Sequence, residues 1–267
     1  MDASAPPVTS QDLAASLERL GLRSGESVLV HSSLSSLGRV EGGAPAVISA
    51  LRETVGPEGT VLFPTFTGHA GLSAQSPPVF SPHLDPCWTG TIPETARKLP
   101  DALRSLGPTH SVCALGALAR WYTTGHERCQ TPCGIGSPFH RLRTALGKVL
   151  FIGVKLSCNT LCHHVEELAG VPYVCVREPV AASVLLPDGG ELQAPLRIHV
   201  YGPARAYPRL EPELLETGIL KLGRAGHADL RLLDAQRFCE VMIPRLRTDP
   251  GLFLAEPDGW RECEEEG

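Results

Sequence analysis

The sequence has no block of basic residues: its 24 Lys and Arg are scattered and are outnumbered by 29 Asp and Glu. Proteins that bind nucleic acid need a concentrated positive surface, so the sequence predicts no nucleic acid partner. The formal net charge is only −5. An acidic balance of this size gives weak support for a cationic substrate.

Leader and membrane-spanning patterns are also missing. Residues 1–11 hold no basic segment followed by an apolar one, and no apolar run in the chain is long enough to cross a bilayer. The nine cysteines form an odd, irregularly spaced set, which is typical of reduced thiols rather than of a disulfide framework. We therefore expect a cytoplasmic protein with no membrane contact.

No internal repeat or linker divides the chain, so we expect a single domain over residues 1–267 with a loose tail over 1–8. Short alternating segments after Pro172, on both sides of the turn at 187–190, predict a hairpin-rich C-terminal part. Residues 68–92 are rich in Pro, Ser, Gly and His and show no helix or strand period. Long loops of this kind are often lids or substrate-binding loops.

The stretch 149–169 is the most informative part of the chain. Its apolar start, 149–154, predicts a buried strand, and Asn159 or Thr160 can cap the helix that follows. The first turns of this helix carry two imidazoles and two carboxylates, at His163, His164, Glu166 and Glu167. These side chains come just past a strand end, which is where open α/β sheets bind ligands.

The helical period indicates which of these side chains face the core. At about 100° per residue, His163 and Glu167 fall opposite the apolar face. Glu166 lies between them and the core, and His164 lies at the core edge. His163 can pair with Glu166 at i+3 or with Glu167 at i+4, and such a carboxylate gives an imidazole the tautomer and basicity of a general base. An ordinary ion pair on a solvated helix face is the commoner explanation of this spacing.

Two other segments are candidate anion sites. A predicted strand, 26–31, runs into the polar loop 31–38, whose hydroxyl and N–H groups could meet an anion or a thioester. A plain turn that caps the next helix explains this loop equally well. Arg104 is a candidate phosphate ligand, because a guanidinium is always charged and forks onto oxyanions. Pairing of Arg104 with a nearby carboxylate is at least as common.

Several short motifs follow one another in a fixed order along the chain. They lie at residues 30–34, 38, 40–43, 56–60, 64–65, 104–105, 108–111, 131–138, 147–153 and 159–166. No single motif is specific, but in this order they resemble the aminoglycoside 3-N-acetyltransferase family, also called the antibiotic N-acetyltransferase family. The resemblance covers roughly residues 20–172 and is looser beyond them.

The resemblance implies both a fold and a reaction. The implied fold is a single three-layer α/β fold with a mixed sheet, unrelated to that of the other common acetyltransferase superfamily. The implied reaction moves an acetyl group from acetyl-coenzyme A directly to an amine of an aminoglycoside-like amino sugar, with no acyl-enzyme and no metal. The expected partner is this small-molecule amine, and a homodimer is compatible with the sequence.

The resemblance also implies roles for individual residues. The family's His-x-x-Glu corresponds to His163 and Glu166, so His163 is implied to be a general base oriented by Glu166, and His31 is implied to be a further catalytic residue. The pantetheine and phosphates of the donor are implied to meet six side chains: Ser32, Ser33, Thr65, Arg104, Thr109 and Ser111. This chemistry is coherent, because a protonated amine must lose a proton before it attacks and a thioester oxyanion needs aimed donors.

One departure from the family concerns the acceptor. Aminoglycosides carry several positive charges and their sites are normally lined by carboxylates, whereas the segment 68–92 offers only Asp85. The same acetyl-coenzyme A chemistry on another amine, a biosynthetic or detoxification substrate, is therefore an alternative.

Three other classes of protein are open at this point. Zinc ligands occur at Cys129, Cys133, Cys158, Cys162, His163 and Glu166, although their spacing is not a usual zinc signature. A cysteine hydrolase that uses Cys162 is a second alternative, but the side chains of Cys162 and His163 diverge by roughly 100° on a helix. A non-catalytic binding module is the third.

Overall fold

The computed structural model describes residues 6–260, which form helices on both sides of a central mixed sheet. The helices are α1 (Ser10–Leu20), α2 (Gly43–Val55), α3 (Thr91–Ala96), α4 (Ala119–Thr123), α5 (Pro138–Thr144), α6 (Thr160–Ala169), α7 (Glu211–Glu216) and α8 (Ala235–Thr248). The strands are β1 (Ser27–Ser32), β2 (Thr60–Pro64), β3 (Val79–Phe80), β4 (Leu103–Arg104), β5 (Val112–Gly116), β6 (Lys148–Ile152), β7 (Ser183–Leu185), β8 (Glu191–Gln193), β9 (Leu220–Ala225) and β10 (Ala228–Asp234).

The central sheet has seven strands in the order β4-β5-β2-β1-β6-β10-β9. Strand β1 lies in the middle and pairs in parallel with both β2 and β6, while β5 and β10 run antiparallel to their neighbours. The expected mixed sheet is therefore confirmed. The middle residues of the parallel strands are apolar, because helices cover both faces of the sheet.

Alternation along β1 and β6 builds two separate cores. Val28 and Leu150 point to one face and pack with the helices α1 and α2, in a core that also holds Leu17. Leu29 and Phe151 point to the other face and pack with α5, α6 and α8. Successive strand residues face opposite sides of a sheet, so each strand serves both cores. This arrangement confirms the three-layer α/β fold.

Most predicted elements are present, with small changes at their ends. The predicted cap at Thr9 is a full capping box: its hydroxyl accepts from the Asp12 N–H, and Asp12 accepts from Thr9. The predicted C-terminal hairpin is confirmed by the antiparallel pairing of β7 with β8. Strand β9 was missed, because it is an edge strand whose middle residues are largely exposed and show no apolar alternation.

The expected loose tail over residues 1–8 is held in place at its end. Residues 1–5 lie outside the described residues, but Val8 is held against Val40 through main-chain hydrogen bonds, so the tail is not loose up to residue 8. The single domain over 1–267 stays a prediction. Between residues 6 and 260, none of the helices combines the length and apolarity of a membrane span.

The long loop 68–92 is attached to the rest of the fold rather than free. It contains β3, which pairs in parallel with β7. The guanidinium of Arg104 donates to the carbonyl oxygens of Pro82 (2.9 Å), Asp85 (2.6 Å) and Thr65 (2.7 Å). It also lies over the Phe80 ring, 4.8 Å from the centroid. The role of this loop as a lid or substrate loop stays a prediction.

Arg104 should therefore matter for stability, and Arg104→Lys tests this. A lysine ammonium cannot reproduce the fork that joins the loop to the sheet, so we expect the free energy of unfolding to fall by about 2–4 kcal/mol. Urea unfolding measures the loss. The matched control is Arg52→Lys, at an exposed ion pair with Asp101, where the change should stay below about 0.5 kcal/mol. Equal stability of the two variants would contradict this role.

Candidate active site

A cavity of about 700 Å³ opens where the central parallel strands end. Its floor is formed by His31 and Ser32 at the end of β1 and by Pro64 at the end of β2. The start of α6 and the segment 199–207 form its sides. The carboxyl ends of parallel strands meet at one edge of a sheet, so the fold itself places the cavity there.

His163 on the cavity wall pairs with Glu166, which lies behind it. The Asn159 side chain caps α6 by accepting from the Leu161 N–H, which fixes the first turn of the helix. His163 Nδ1 then lies 2.7 Å from Glu166 Oε2. The His163 side chain is 29% exposed and lines the cavity, whereas that of Glu166 is 0% exposed. Because Nδ1 is engaged by Glu166, Nε2 is the ring nitrogen left for a ligand.

Two residues from later in the chain hold the Glu166 carboxylate. The Tyr207 hydroxyl donates to Oε2 at 3.1 Å, and Arg205 Nε donates to Oε1 at 3.3 Å. Burial alone favours protonation of Glu166, but the hydrogen bond from His163 and the charge of Arg205 outweigh it and lower its pKa. The carboxylate is therefore ionised at neutral pH although it has no contact with water.

The predicted solvated face of α6 is wrong for Glu167. Its side chain is only 2% exposed, because the segment 131–133 and His199 cover it. The Cys133 N–H donates to the carboxylate at 2.9 Å, and His199 Nε2 lies 2.5 Å from Oε1. The sequence period could not show that chain segments 32 to 34 residues away would close over this face.

Three imidazoles surround the site at close range. The ring centroid of His199 lies 4.8 Å from that of His163 and 4.5 Å from that of His110. Burial and the neighbouring imidazoles hold the pKa values of His110 and His199 well below their ordinary range. Burial raises the pKa of Glu167 to about 7, against hydrogen bonds from Thr131 and Cys133. The raised pKa of Glu167 and the lowered pKa of His199 both favour the uncharged forms of these side chains. The pair therefore adds little charge to the site.

His31 and Ser32 bring two unpaired polar atoms to the cavity. Burial lowers the pKa of His31 to about 3, so the ring is neutral, and it stacks on Phe151 with 5.4 Å between centroids. In the described part of the chain, neither His31 Nε2 nor Ser32 Oγ has a hydrogen-bond partner, although both atoms are buried. Buried polar atoms normally have partners, so these two atoms are suited to a ligand.

The other expected donor ligands do not line the cavity. Thr65 and Ser111 join their hydroxyls at 3.0 Å, and Arg104 Nε donates to both. Ser33 lies beside this floor, with its hydroxyl 3.2 Å from that of Ser35. Thr109 Oγ1 pairs with His110 Nδ1 at 2.9 Å. The guanidinium of Arg104 is bonded to protein oxygens, and its role as a phosphate ligand stays a prediction.

The structure also bears on the cysteine alternatives. Cys162 is 1% exposed within the core, and burial raises the pKa of its thiol well above the ordinary value, so it is not an activated nucleophile. Within residues 6–260, the side chains that come close enough to share a metal are Cys133, Glu167 and His199. The zinc set expected around Cys158 and His163 is not brought together there.

The raised pKa of Glu167 predicts a pH effect on stability. Between the ordinary value of 4.5 and about 7, the native state binds a proton that the unfolded chain has released. Stability from this group is therefore present at low pH and is lost as the pH rises to 7. Glu167→Gln removes this loss, so relative to wild type it should gain roughly 2–3 kcal/mol between pH 4.5 and 7.

Urea unfolding of both proteins across this pH range measures the difference. The buried histidines that make no contact with Glu167 cancel in it, because they are present in both chains. The exposed Glu58→Gln gives the baseline for removing a carboxylate. A difference between wild type and Glu167→Gln that stays constant with pH would contradict the expectation.

A sequence model of the family described as aminoglycoside 3-N-acetyltransferase matches residues 29–247. The chain is 34% identical over 260 residues to aminoglycoside N(3)-acetyltransferase VII of Streptomyces paromomycinus, which covers 86% of this chain and 88% of the relative.

Solved structures agree with this match. The structure of AAC-IIIb in a binary complex with CoASH superposes with a TM-score of 0.79 at 31% identity, covering 94% of this chain and 99% of that one. A mutant of the aminoglycoside acetyltransferase AAC(3)-IVa in complex with a gentamicin gives a TM-score of 0.81 at 27% identity, covering 98% of both chains.

These matches confirm the expected fold and the expected kind of enzyme, an N-acetyltransferase that uses acetyl-coenzyme A. The family model covers most of the chain, and the relative from Streptomyces paromomycinus is matched over most of its own length. The chain therefore belongs to the aminoglycoside 3-N-acetyltransferase family.

Proposed function

We propose that the protein transfers the acetyl group of acetyl-coenzyme A directly to an amine of an aminoglycoside-like amino sugar, with His163 as the general base. One observation carries the proposal: an imidazole on the wall of a large cavity lies 2.7 Å from a buried, ionised carboxylate. The names of the relatives support the acceptor class, and the CoASH complex of AAC-IIIb supports the donor.

The reaction begins with the acceptor ammonium, which has no lone pair until it loses a proton. His163 Nε2 takes that proton, and the amine nitrogen attacks the carbonyl carbon of the thioester. The new N–C bond turns the carbonyl oxygen into an oxyanion. The C–S bond then breaks, coenzyme A leaves as a thiolate, and a second proton from the nitrogen restores its thiol.

Glu166 acts through His163 rather than on the substrate. Its carboxylate holds the Nδ1–H tautomer and stabilises the imidazolium that forms when Nε2 takes a proton. Arg205 and Tyr207 keep this carboxylate ionised and correctly placed in a site without water. All three residues are therefore positioning residues in the proposed mechanism.

The oxyanion is assigned to the floor of the cavity. His31 Nε2 and Ser32 Oγ are buried and unpaired, and both residues line the cavity. A neutral His31 can donate from Nε2 without adding a charge, and a hydroxyl can donate beside it. We assign Thr65, Arg104 and Ser111 to the support of this floor, and Ser33 and Thr109 to its edge. A homodimer stays a prediction.

The test of the base is His163→Ala, with coenzyme A thiol release measured for a panel of amines that includes an aminoglycoside. Loss of a positioned general base should lower kcat by about 10²–10⁴-fold. The control His227→Ala removes an exposed imidazole between β9 and β10, outside the cavity lining, and should keep full activity. Wild-type rates in His163→Ala, or no thiol release by wild type with any amine, would refute the proposal.

The test of the oxyanion site is Ser32→Ala. Removal of one aimed donor should lower kcat by about 10²-fold with a much smaller change in KM, because the donor acts mainly on the transition state. Ser35→Ala is the control, since its hydroxyl lies in the same loop but does not line the cavity. Equal effects of the two substitutions would show that Ser32 has no special role.

A further inference from the structure

The wall of the cavity carries no carboxylate among the residues that the structure describes. Its polar side chains are four imidazoles, several hydroxyls and the Asn159 amide, with Arg205 as the cation, and much of the rest is apolar or aromatic. An acceptor with several ammonium groups would therefore leave water without opposite charges to meet it.

The nearest carboxylates are already paired with protein groups. Glu166 and Glu167 are 0% and 2% exposed and lie behind the wall, bonded to His163 and His199. Glu94 pairs with Arg97 at 2.6 Å and with Lys98 at 2.9 Å. The Asp85 carboxylate accepts from the Ser81 N–H at 2.8 Å. None of these carboxylates lines the cavity.

Charge pairing decides which acceptors such a cavity favours. The reacting amine hands its proton to His163 and needs no permanent counter-ion. Each additional ammonium that enters must lose its hydration, and desolvation of a charge without an ion partner is costly. Because no described residue of the lining carries a carboxylate, the cavity disfavours a polycation.

Two exposed aromatic rings line the cavity. Trp88 and Tyr201 are 63% and 64% exposed, although both line the cavity. The Trp88 indole is held in place by Nε1, which donates to the Gly68 carbonyl at 2.9 Å, and by an edge contact with Phe66. The Trp88 ring is fixed and yet open to solvent, so it presents a flat face on which an uncharged ring can stack.

We propose that the preferred acceptor is an amine with a single positive charge, carried on a body with a flat, uncharged face, rather than a polycationic aminoglycoside. This inference rests on the acetyl transfer proposed above and names the substrate class of that same site. A mono-amino sugar with an aryl group has the required chemistry: one amine for His163 and ring faces for Trp88 and Tyr201.

The test is a series of acceptors with increasing charge at saturating acetyl-coenzyme A. A 4-nitrophenyl glycoside of glucosamine has one amine, 2-deoxystreptamine has two, and gentamicin has more. We expect kcat/KM for thiol release to fall by at least about tenfold from the first to the last, since one unpaired charge costs about that much. A higher kcat/KM for gentamicin would overturn the inference and leave the proposed reaction intact. No release with any amine would instead refute the proposed function.

A carboxylate added at the cavity should weaken the preference. Val200→Glu places one at a lining position that is 39% exposed. It should raise the ratio of kcat/KM for gentamicin to kcat/KM for the glycoside about fivefold, as expected for one charge pair near a surface. Leu118→Glu, at a residue that is 42% exposed and outside the cavity lining, is the control. Equal responses of gentamicin to both variants would count against the inference.

The aromatic faces have their own test. Trp88→Ala should raise KM for the aryl glycoside about tenfold, Trp88→Phe should restore most of the loss, and Trp121→Ala should have no effect. Trp121 is the control because it is 44% exposed but lies outside the cavity lining. An unchanged KM in Trp88→Ala would remove the ring face from the argument and overturn this choice of acceptor body.

The acidic end of the chain is tested in the same series. Glu262, Glu264, Glu265 and Glu266 lie outside the described residues. A full-length variant with Gln at these four positions should show the same order of acceptors as wild type. Loss of gentamicin turnover in that variant alone would show that these glutamates supply charges to the acceptor, and would overturn the inference.

Discussion

The ionised carboxylate of Glu166, wholly removed from water, is the constraint on which the site depends. A buried carboxylate is stable only when its oxygens are bonded and its charge is balanced. Arg205, Tyr207 and His163 meet that need from three directions. In doing so they draw the segment 199–207 against α6, and this contact closes one side of the cavity. The same interaction thus orients the proposed base and builds the wall around it.

The end of the central sheet forms the rest of the site, where the main chain after β6 lies close to the loop after β1. Gly153, just after β6, has a φ of +65°, and a Cβ there would lie 1.6 Å from Ser36 Oγ. Only glycine fits both the left-handed conformation and this contact. It lets the loop after β1 pass directly beside the start of the loop that leads to α6. The unpaired atoms of His31 and Ser32 therefore share a cavity with His163.

The sequence was most informative where contacts are local. The helix with His163 and Glu166, its Asn159 cap and the buried strands at its side follow from period and capping, and the structure has all of them. Arg205 and Tyr207 could not be found in this way, because they meet Glu166 across 39 and 41 residues of chain with no motif of their own. The contacts of Arg104 were equally out of reach: its charge suggested a ligand, and only the folded chain shows that its guanidinium bonds to main-chain oxygens.

Base and acceptor wall are built from different parts of the chain, and this separation has a consequence for specificity. The proposed base and oxyanion donors lie on β1 and α6, which the sheet and both cores hold in place. The loop 68–92 and the segment 199–207 line the outer part of the cavity, and we propose that they face the body of the acceptor. The proposed base contacts only the reacting amine, so these outer segments can change their charges while the base and the oxyanion donors keep their places. A wall of aromatic and imidazole side chains is therefore compatible with the reaction chemistry of the family and with a different choice of amine.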